Sequence, residues 1–186
     1  MLKPAQIQIL NTFIHNLSMN ETLSIINDTI VNEESIQHVV VNAGKIVQIQ
    51  KDEQLRESVN NSDIINADGQ AVVWAAKFLN KPLKERVTGI DLMENLVELA
   101  YKNNYKIFLF GAKEEVVKEV VTIYTKKYNK NLIAGYRNGY YNKEDEASIA
   151  KEIASSGANM LFVAITSPKK ENFLYEFKNE LKAVNF

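Results

Sequence analysis

The sequence contains no cysteine. That excludes disulfides, thiolate nucleophiles and cysteine-held zinc together, and fits a reducing compartment. Histidine is almost missing as well. His15 and His38 are the only two, and no His-x-x-x-His pair exists. No Asp-x-Asp pair is present either, so the usual carboxylate pair for holding a metal on a nucleotide-sugar diphosphate is absent. A Gly-x-Ser-x-Gly elbow is lacking, which argues against that hydrolase class. Glycine (7) and proline (3) are scarce and form no linker. Neither sign of charge dominates: 22 basic against 23 acidic residues leave a net −1, so no global basic field favours nucleic acid. No stretch approaches the ~20 apolar residues of a membrane-spanning helix. The longer apolar runs, such as 107–110 and 160–165, are strand-sized. The opening Met1-Leu2-Lys3-Pro4-Ala5-Gln6 lacks the apolar run of a secretory signal. These absences describe a chain that does not span a membrane, with contact at a membrane surface left open.

What is present is the ordinary mixture of a globular protein: 186 residues, 46% hydrophobic and 24% charged. That is enough for one sizeable core, and residues 1–186 read as a single domain. Strands and helices alternate. An extended piece over 7–14 leads to Ser18-Met19-Asn20-Glu21, a capping box. The helix behind it carries Leu23, Ile26 and Ile30 on one face. A strand over 36–41, a helical stretch through Val59 and a short strand over 63–65 follow. A helix over 69–79 stops before Pro82. Thr88-Gly89-Ile90-Asp91 forms a second capping box, opening a helix that buries Met93, Leu96 and Ala100.

In the second half, an apolar strand over 106–110 ends at Gly111. The next helix is expected to turn Val116, Val120, Ile123 and Tyr124 inward. A strand over 131–136, a helix over 143–155 capped by Asn142, and an apolar strand over 159–165 come next. Ser167 as N-cap with Pro168 at the first helical position starts the last helix. Continuous β-branched and aromatic runs between amphipathic helices indicate parallel strands covered on both faces. The fold class is therefore α/β: a doubly wound, mainly parallel, Rossmann-like sheet. The tail Ala183-Val184-Asn185-Phe186 reads as the start of another buried strand, so a further C-terminal segment is expected.

Ligands in open α/β sheets sit at the carboxyl ends of the strands. Asn42, Asp68, Gly69, Gly111, the Arg137-Asn138-Gly139-Tyr140 turn and the stretch from Thr166 through Glu171 stand there. Asp68 has two readings, an N-cap before a helix or a carboxylate aimed at a ligand. Lys169 and Lys170 fall in a first helical turn, where the dipole disfavours cations unless an anion binds. They are equally readable as solvated lysines that Glu171 neutralises. Gly111 ends a strand as phosphate-binding turns do, but the sequence after it is neither a dinucleotide fingerprint nor a P-loop. Arg86 is either a phosphate clamp or a surface ion-pair partner. Tyr136, Tyr140 and Tyr141 are stacking or packing aromatics. His38 reads as structural, and Glu144-Asp145-Glu146 as a solvated first turn.

Together, Asn66-Ala67-Asp68-Gly69, Val72-Val73-Trp74-Ala75, the segment from Arg86 to Leu92, Phe110-Gly111-Ala112, Asn138-Gly139-Tyr140 and Ser167-Pro168-Lys169-Lys170-Glu171 occur in order over nearly the whole chain. This resembles the WecG/TagA/CpsF family of bacterial glycosyltransferases, especially its wall-teichoic-acid branch. The resemblance implies transfer of N-acetylmannosamine from UDP-N-acetylmannosamine to the C4 hydroxyl of N-acetylglucosamine on undecaprenyl diphosphate. The product is a β-1,4 disaccharide lipid, formed with inversion and without a cofactor or essential metal. It implies Asp68 as general base, Asn42 in the sugar pocket and Arg86 on the donor. Gly69, Gly111, Ser167, Lys170 and Glu171 complete the substrate-binding set. A cytoplasmic enzyme resting peripherally on the inner membrane face is implied, with a homo-oligomer as an open option. Two positions depart from the family: Val40 replaces a usual threonine and Lys170 a usual glutamine. The family's basic, aromatic C-terminal appendage, associated with membrane contact, is absent from the sequence. The residues alone also admit a nucleotide-binding or scaffold module without catalysis. An α/β oxidoreductase is a third option, weakened by the missing dinucleotide fingerprint.

Overall fold

The structure is a computed structural model and describes residues 4–186. Met1, Leu2 and Lys3, which open the stretch read above as lacking a secretory signal, lie outside the described residues. Among the described residues no helix is long and apolar enough to cross a membrane. The chain divides into two compact units, residues 4–28 with Ile36–Glu94, and Thr29–Ser35 with Asn95–Phe186.

The first unit is built on two small sheets. Strands β1 (Gln6–Ile9) and β2 (Thr12–His15) form an antiparallel hairpin. The expected single extended piece over 7–14 is thus a reversal. Leu10 takes a positive φ of 51° at its turn, a conformation hairpin loops need and leucine does not advertise. Asn11 is held from outside the hairpin: its Nδ2 donates to Gln50 and its carbonyl accepts from Asn60. Strands β3 (His38–Val41) and β4 (Ile64–Ala67) pair in parallel, with Val41 opposite Ala67. Every residue of β4 is buried.

Helix α1 (Met19–Val31) starts at the expected capping box. Ser18 N donates to Glu21 Oε2 at 2.8 Å, and Glu21 N to Ser18 Oγ at 3.2 Å. The helical stretch after β3 is two helices, α2 (Ala43–Ile49) and α3 (Glu53–Asn60). Asp52 makes the break, because its side chain accepts from Leu55 N at 2.9 Å and restarts the helix. Helix α4 is Gln70–Phe78 and α5 is Gly89–Asn103, with Thr88 Oγ1 accepting from Asp91 N at 3.1 Å. Ile14, Val39, Val41, Ile49, Leu55, Ile65, Val72 and Ala76 belong to the core of this unit.

The second unit carries a parallel three-stranded sheet, ordered β6 (Ile133–Arg137), β5 (Ile107–Gly111), β7 (Met160–Ala164). Helix α6 (Glu114–Lys127) buries Val117, whereas Val116 and Ile123 are 43% and 51% exposed. Val120 and Tyr124 are half-buried as expected, while Val116 and Ile123 face outward and Val117 is buried in their stead. Val116 and Val117 lie about 100° apart around the helix, and packing selects Val117. Asn142 heads a 3-10 turn (Lys143–Asp145) rather than the helix itself, and α7 begins at Glu146 and ends at Ser155. Helix α8 is Lys169–Glu176. Residues 185 and 186 run along β7: Phe186 N donates to Asn159 O, and Phe186 O accepts from Leu161 N. The expected strand start is a short edge contact, with Val184 buried beneath it. The α/β class and the mainly parallel pairing match the reading from sequence.

Candidate functional site

In the first unit the carboxyl ends of β3 and β4 bring Asn42, Asp68 and Gly69 together. Parallel pairing continues one step past the strands, with Asp68 N donating to Val41 O at 2.9 Å. Asn42 is the N-cap of α2, its Oδ1 accepting from Lys45 N at 2.9 Å. Gly69 lies against it, so that a Cβ added there would be 3.4 Å from that of Asn42. The N-cap of α4 is Gly69, without any side-chain cap bond. Asp68 is therefore not the helix cap, the bland half of its two readings. Its carboxylate has no hydrogen bond or ion pair among the described residues, and the residue is half-buried.

Arg86 reaches the same strand end through its neighbour, because Val87 N donates to Ala67 O at 2.9 Å. The guanidinium is exposed and makes no ion pair among the described residues, so the surface ion-pair reading is not realised. Lys45 escaped the sequence reading. Its Nζ donates to Val40 O at 2.9 Å, placing an ammonium at the end of β3. The available signal was its position three residues after the Asn42 cap. Val40, the threonine departure, packs on Gly89 at the start of α5.

Behind this strand end lies a chain of polar side chains. Asn66 Oδ1 accepts from His38 Nε2 at 2.9 Å and from Thr22 Oγ1 at 3.5 Å. Burial lowers the His38 pKa to about 4, against a smaller opposing effect of the Asn66 bond. His15 Nδ1 accepts from Ile65 N at 2.9 Å, and burial lowers its pKa too. Both histidines are structural neutral rings, as the sequence suggested for His38.

In the second unit Gly111, Gly139 and the segment before α8 converge at the ends of β5, β6 and β7. Ala112 N donates to Ala164 O and Gly139 N to Ala112 O, both at 2.9 Å. Gly111 has φ +136°, and a Cβ there would fall 2.4 Å from Ala164 C and O. Glycine is required here by backbone contact. Asn138 Nδ2 donates to Glu114 Oε2 at 2.8 Å, which holds the Asn138-Gly139 turn and lowers the Glu114 pKa.

The start of α8 differs from expectation. Pro168, after a cis peptide bond, occupies the cap position, and its carbonyl accepts from Asn172 N at 3.0 Å. Ser167 precedes the cap instead of forming it, and its buried Oγ has no partner among the described residues. Lys169 turns onto Tyr141, with Nζ 3.4 Å from the ring centroid and 3.1 Å from the Tyr141 carbonyl. Desolvation, then the Glu146 charge, push the Tyr141 hydroxyl up to about 12, so it stays protonated. Glu171 is buried. Lys170 lies in the first turn of α8. Among the described residues no three histidine or carboxylate side chains are grouped to hold a metal ion.

Comparison with known proteins matches residues 7–186 to the glycosyl transferase WecG/TagA/CpsF family. The chain belongs to that family. Its similar relatives include the N-acetylglucosaminyldiphosphoundecaprenol N-acetyl-beta-D-mannosaminyltransferase of Bacillus subtilis (strain 168). Identity to it is 35% over 129 residues, which is 69% of this chain and 50% of the relative. The protein of the same name from Bacillus spizizenii is 32% identical over 121 residues, 65% of this chain and 46% of that protein. The Staphylococcus aureus (strain NCTC 8325 / PS 47) protein is 30% identical over 181 residues, 96% of this chain and 70% of that protein. The matches thus span about half the length of the two Bacillus relatives. Within this WecG/TagA/CpsF chain, Asn42, Asp68, Gly69 and Arg86 share one strand end in the first unit. Gly111 and Ser167 flank the Ala164 end of β7 in the second.

Proposed function

We propose that this chain is an inverting glycosyltransferase. It moves N-acetylmannosamine from UDP-N-acetylmannosamine to the C4 hydroxyl of N-acetylglucosamine on undecaprenyl diphosphate, yielding the β-1,4 disaccharide lipid of teichoic acid linkage units. Both units belong to one glycosyltransferase domain, working in the cytoplasm at the inner membrane face. The names of the relatives support donor sugar and acceptor. The observation that carries the reading is Asp68: a carboxylate at the carboxyl end of a parallel strand pair, spent neither on a cap nor on an ion pair.

The chemistry follows from that carboxylate. As the acceptor C4 oxygen bonds to the anomeric carbon, the carbon–oxygen bond to UDP breaks, and the hydroxyl proton passes to Asp68. Attack opposite the leaving group inverts the anomeric centre. Charge growing on UDP is met by Arg86 and by backbone donors. Asn42 and Gly69 shape the sugar pocket beside Asp68. Gly111, Ser167, Lys170 and Glu171 are the substrate-binding residues proposed for the second unit.

The test is a transfer assay with UDP-N-acetylmannosamine and a soluble lipid-diphosphate N-acetylglucosamine. Asp68→Asn is expected to lower kcat roughly 10²-fold or more with little change in UDP affinity by calorimetry. Unchanged turnover would remove Asp68 as the base, and tighter binding of NAD than of UDP would favour an oxidoreductase.

A further inference from the structure

We propose that the outer face of α4, with the loop behind it, is a docking surface for an anionic lipid bilayer. Helix α4 buries Val72 and Ala76 on one side and leaves large apolar side chains on the other. Trp74 is 66% exposed and Phe78, one turn later, 87%. Leu79 continues this stripe beyond the helix end. Such a cluster of large apolar groups in water marks a contact surface more than a scatter of single residues does.

The charges around the stripe choose the partner. Lys77 lies beside Trp74 on the helix, and Lys81, Lys84 and Arg86 follow within nine residues, against a single acid, Glu85. This basic run stands out in a chain of net charge −1. Lys77 has no ion-pair partner among the described residues, while Lys84 is paired with Glu21 and Arg86 belongs to the proposed donor site. Lys81 carries the patch onto the hairpin, where its Nζ donates to Gln8 O beside a shallow groove that includes Ile7 and Phe13. Aromatic side chains accompanied by lysine suit the interface of a bilayer with anionic headgroups, rings at headgroup depth and ammonium groups on phosphates. A second copy of the chain fits less well. A two-fold contact through this face would bring two copies of the same basic run together.

The consequence for the site is geometric. Asp68 and Gly69 immediately precede α4, so a bilayer holding this helix also fixes the orientation of the strand end that carries Asp68. This deepens the proposed function and rests on it only for the meaning of the contact, since a lipid-linked acceptor is presented at a bilayer.

Trp74 is the sole tryptophan, so its emission reports the contact directly. The experiment mixes the chain with large vesicles of phosphatidylcholine alone, or with about one third phosphatidylglycerol. Expected results are a blue shift of Trp74 emission and co-sedimentation with the anionic vesicles only, both reversed in roughly 0.5 M salt. Phe78→Gln should weaken partitioning roughly tenfold, and Lys77→Gln roughly fivefold. Trp74→Gln, followed by sedimentation, should match Phe78→Gln. No shift with anionic vesicles, or variants that bind like the parent, would overturn the proposal. A lipid-independent Trp74 shift that tracks protein concentration, with a dimer on ultracentrifugation, would give the face to a second copy. The vesicles contain neither donor nor acceptor, so failure here leaves the Asp68 assignment standing, and an active Asp68→Asn leaves the lipid contact standing.

Discussion

Gly111 and Ala164 are in backbone contact: a Cβ on the glycine would sit 2.4 Å from the carbonyl carbon of the alanine. The ends of β5 and β7 can close only because that atom is missing. The positive φ of 136° adds a second reason for glycine. Gly111→Ala is therefore expected to destabilise the protein by about 3 kcal/mol or more, combining overpacking with backbone strain. For a chain of this size that lowers the melting temperature by roughly 6–12 °C, readable by circular dichroism. A shift of under one degree would show that the two strand ends move apart without cost.

Asp68 and Asn42 make a paired prediction. Asn42 caps α2 through Lys45 N, while Asp68 caps nothing. Asn42→Ala should cost about 1 kcal/mol of stability. Asp68→Ala should stay within about 0.5 kcal/mol, as an uninvolved half-exposed position does. Urea unfolding of the two variants separates them. Equal losses would restore the cap role to Asp68 and weaken its assignment as the base.

How much of this was legible in the sequence depends on how local each feature is. The Ser18–Glu21 box was readable because donor and acceptor lie three residues apart. The strand ends were readable because buried β-branched runs between helices imply parallel pairing. The Leu10 turn was not, since leucine carries no signal for a positive φ and the partners that hold the adjacent Asn11, Gln50 and Asn60, are distant in sequence. The α6 face was ambiguous because adjacent valines serve two faces equally. Ser167 misled for a similar reason: Ser-Pro before a helix reads as cap and first residue, yet Pro168 holds the cap. The structural role of His38 was readable from its place in a strand, but its partner was not, since only the fold sets it against Asn66, which is 28 residues away in sequence.

The burial of His38, beside Asn66, gives stability a defined pH dependence. The folded-state pKa, about 4, lies below the 6.5 of an unperturbed imidazole, so between these values the unfolded chain binds more protons. The contribution is intact above pH 6.5 and is lost as pH falls towards 4. It amounts to at most about 3 kcal/mol, and His15, shifted in the same direction, adds to it. His38→Gln keeps a donor for Asn66 and cannot titrate. Its unfolding free energy should fall less steeply than the parent's between pH 6.5 and 4.5. Parallel slopes in urea titrations would place the acid sensitivity elsewhere.

Arg86 offers the cleanest separation of binding from folding. Its guanidinium is exposed and has no ion-pair partner among the described residues, so Arg86→Ala should leave the unfolding midpoint within about 0.5 kcal/mol of the parent. If it clamps the donor diphosphate, the same change removes a charge-assisted bond of about 1.5–3 kcal/mol, and UDP affinity by calorimetry should fall roughly tenfold or more. Arg86→Lys tests the geometry of the clamp. Lysine keeps the charge but lacks the planar fork, so a bidentate contact predicts only partial recovery. Full recovery would mean that Arg86 acts as a point charge, and unchanged affinity in both variants would move the donor clamp elsewhere, with Lys170 next to be tested.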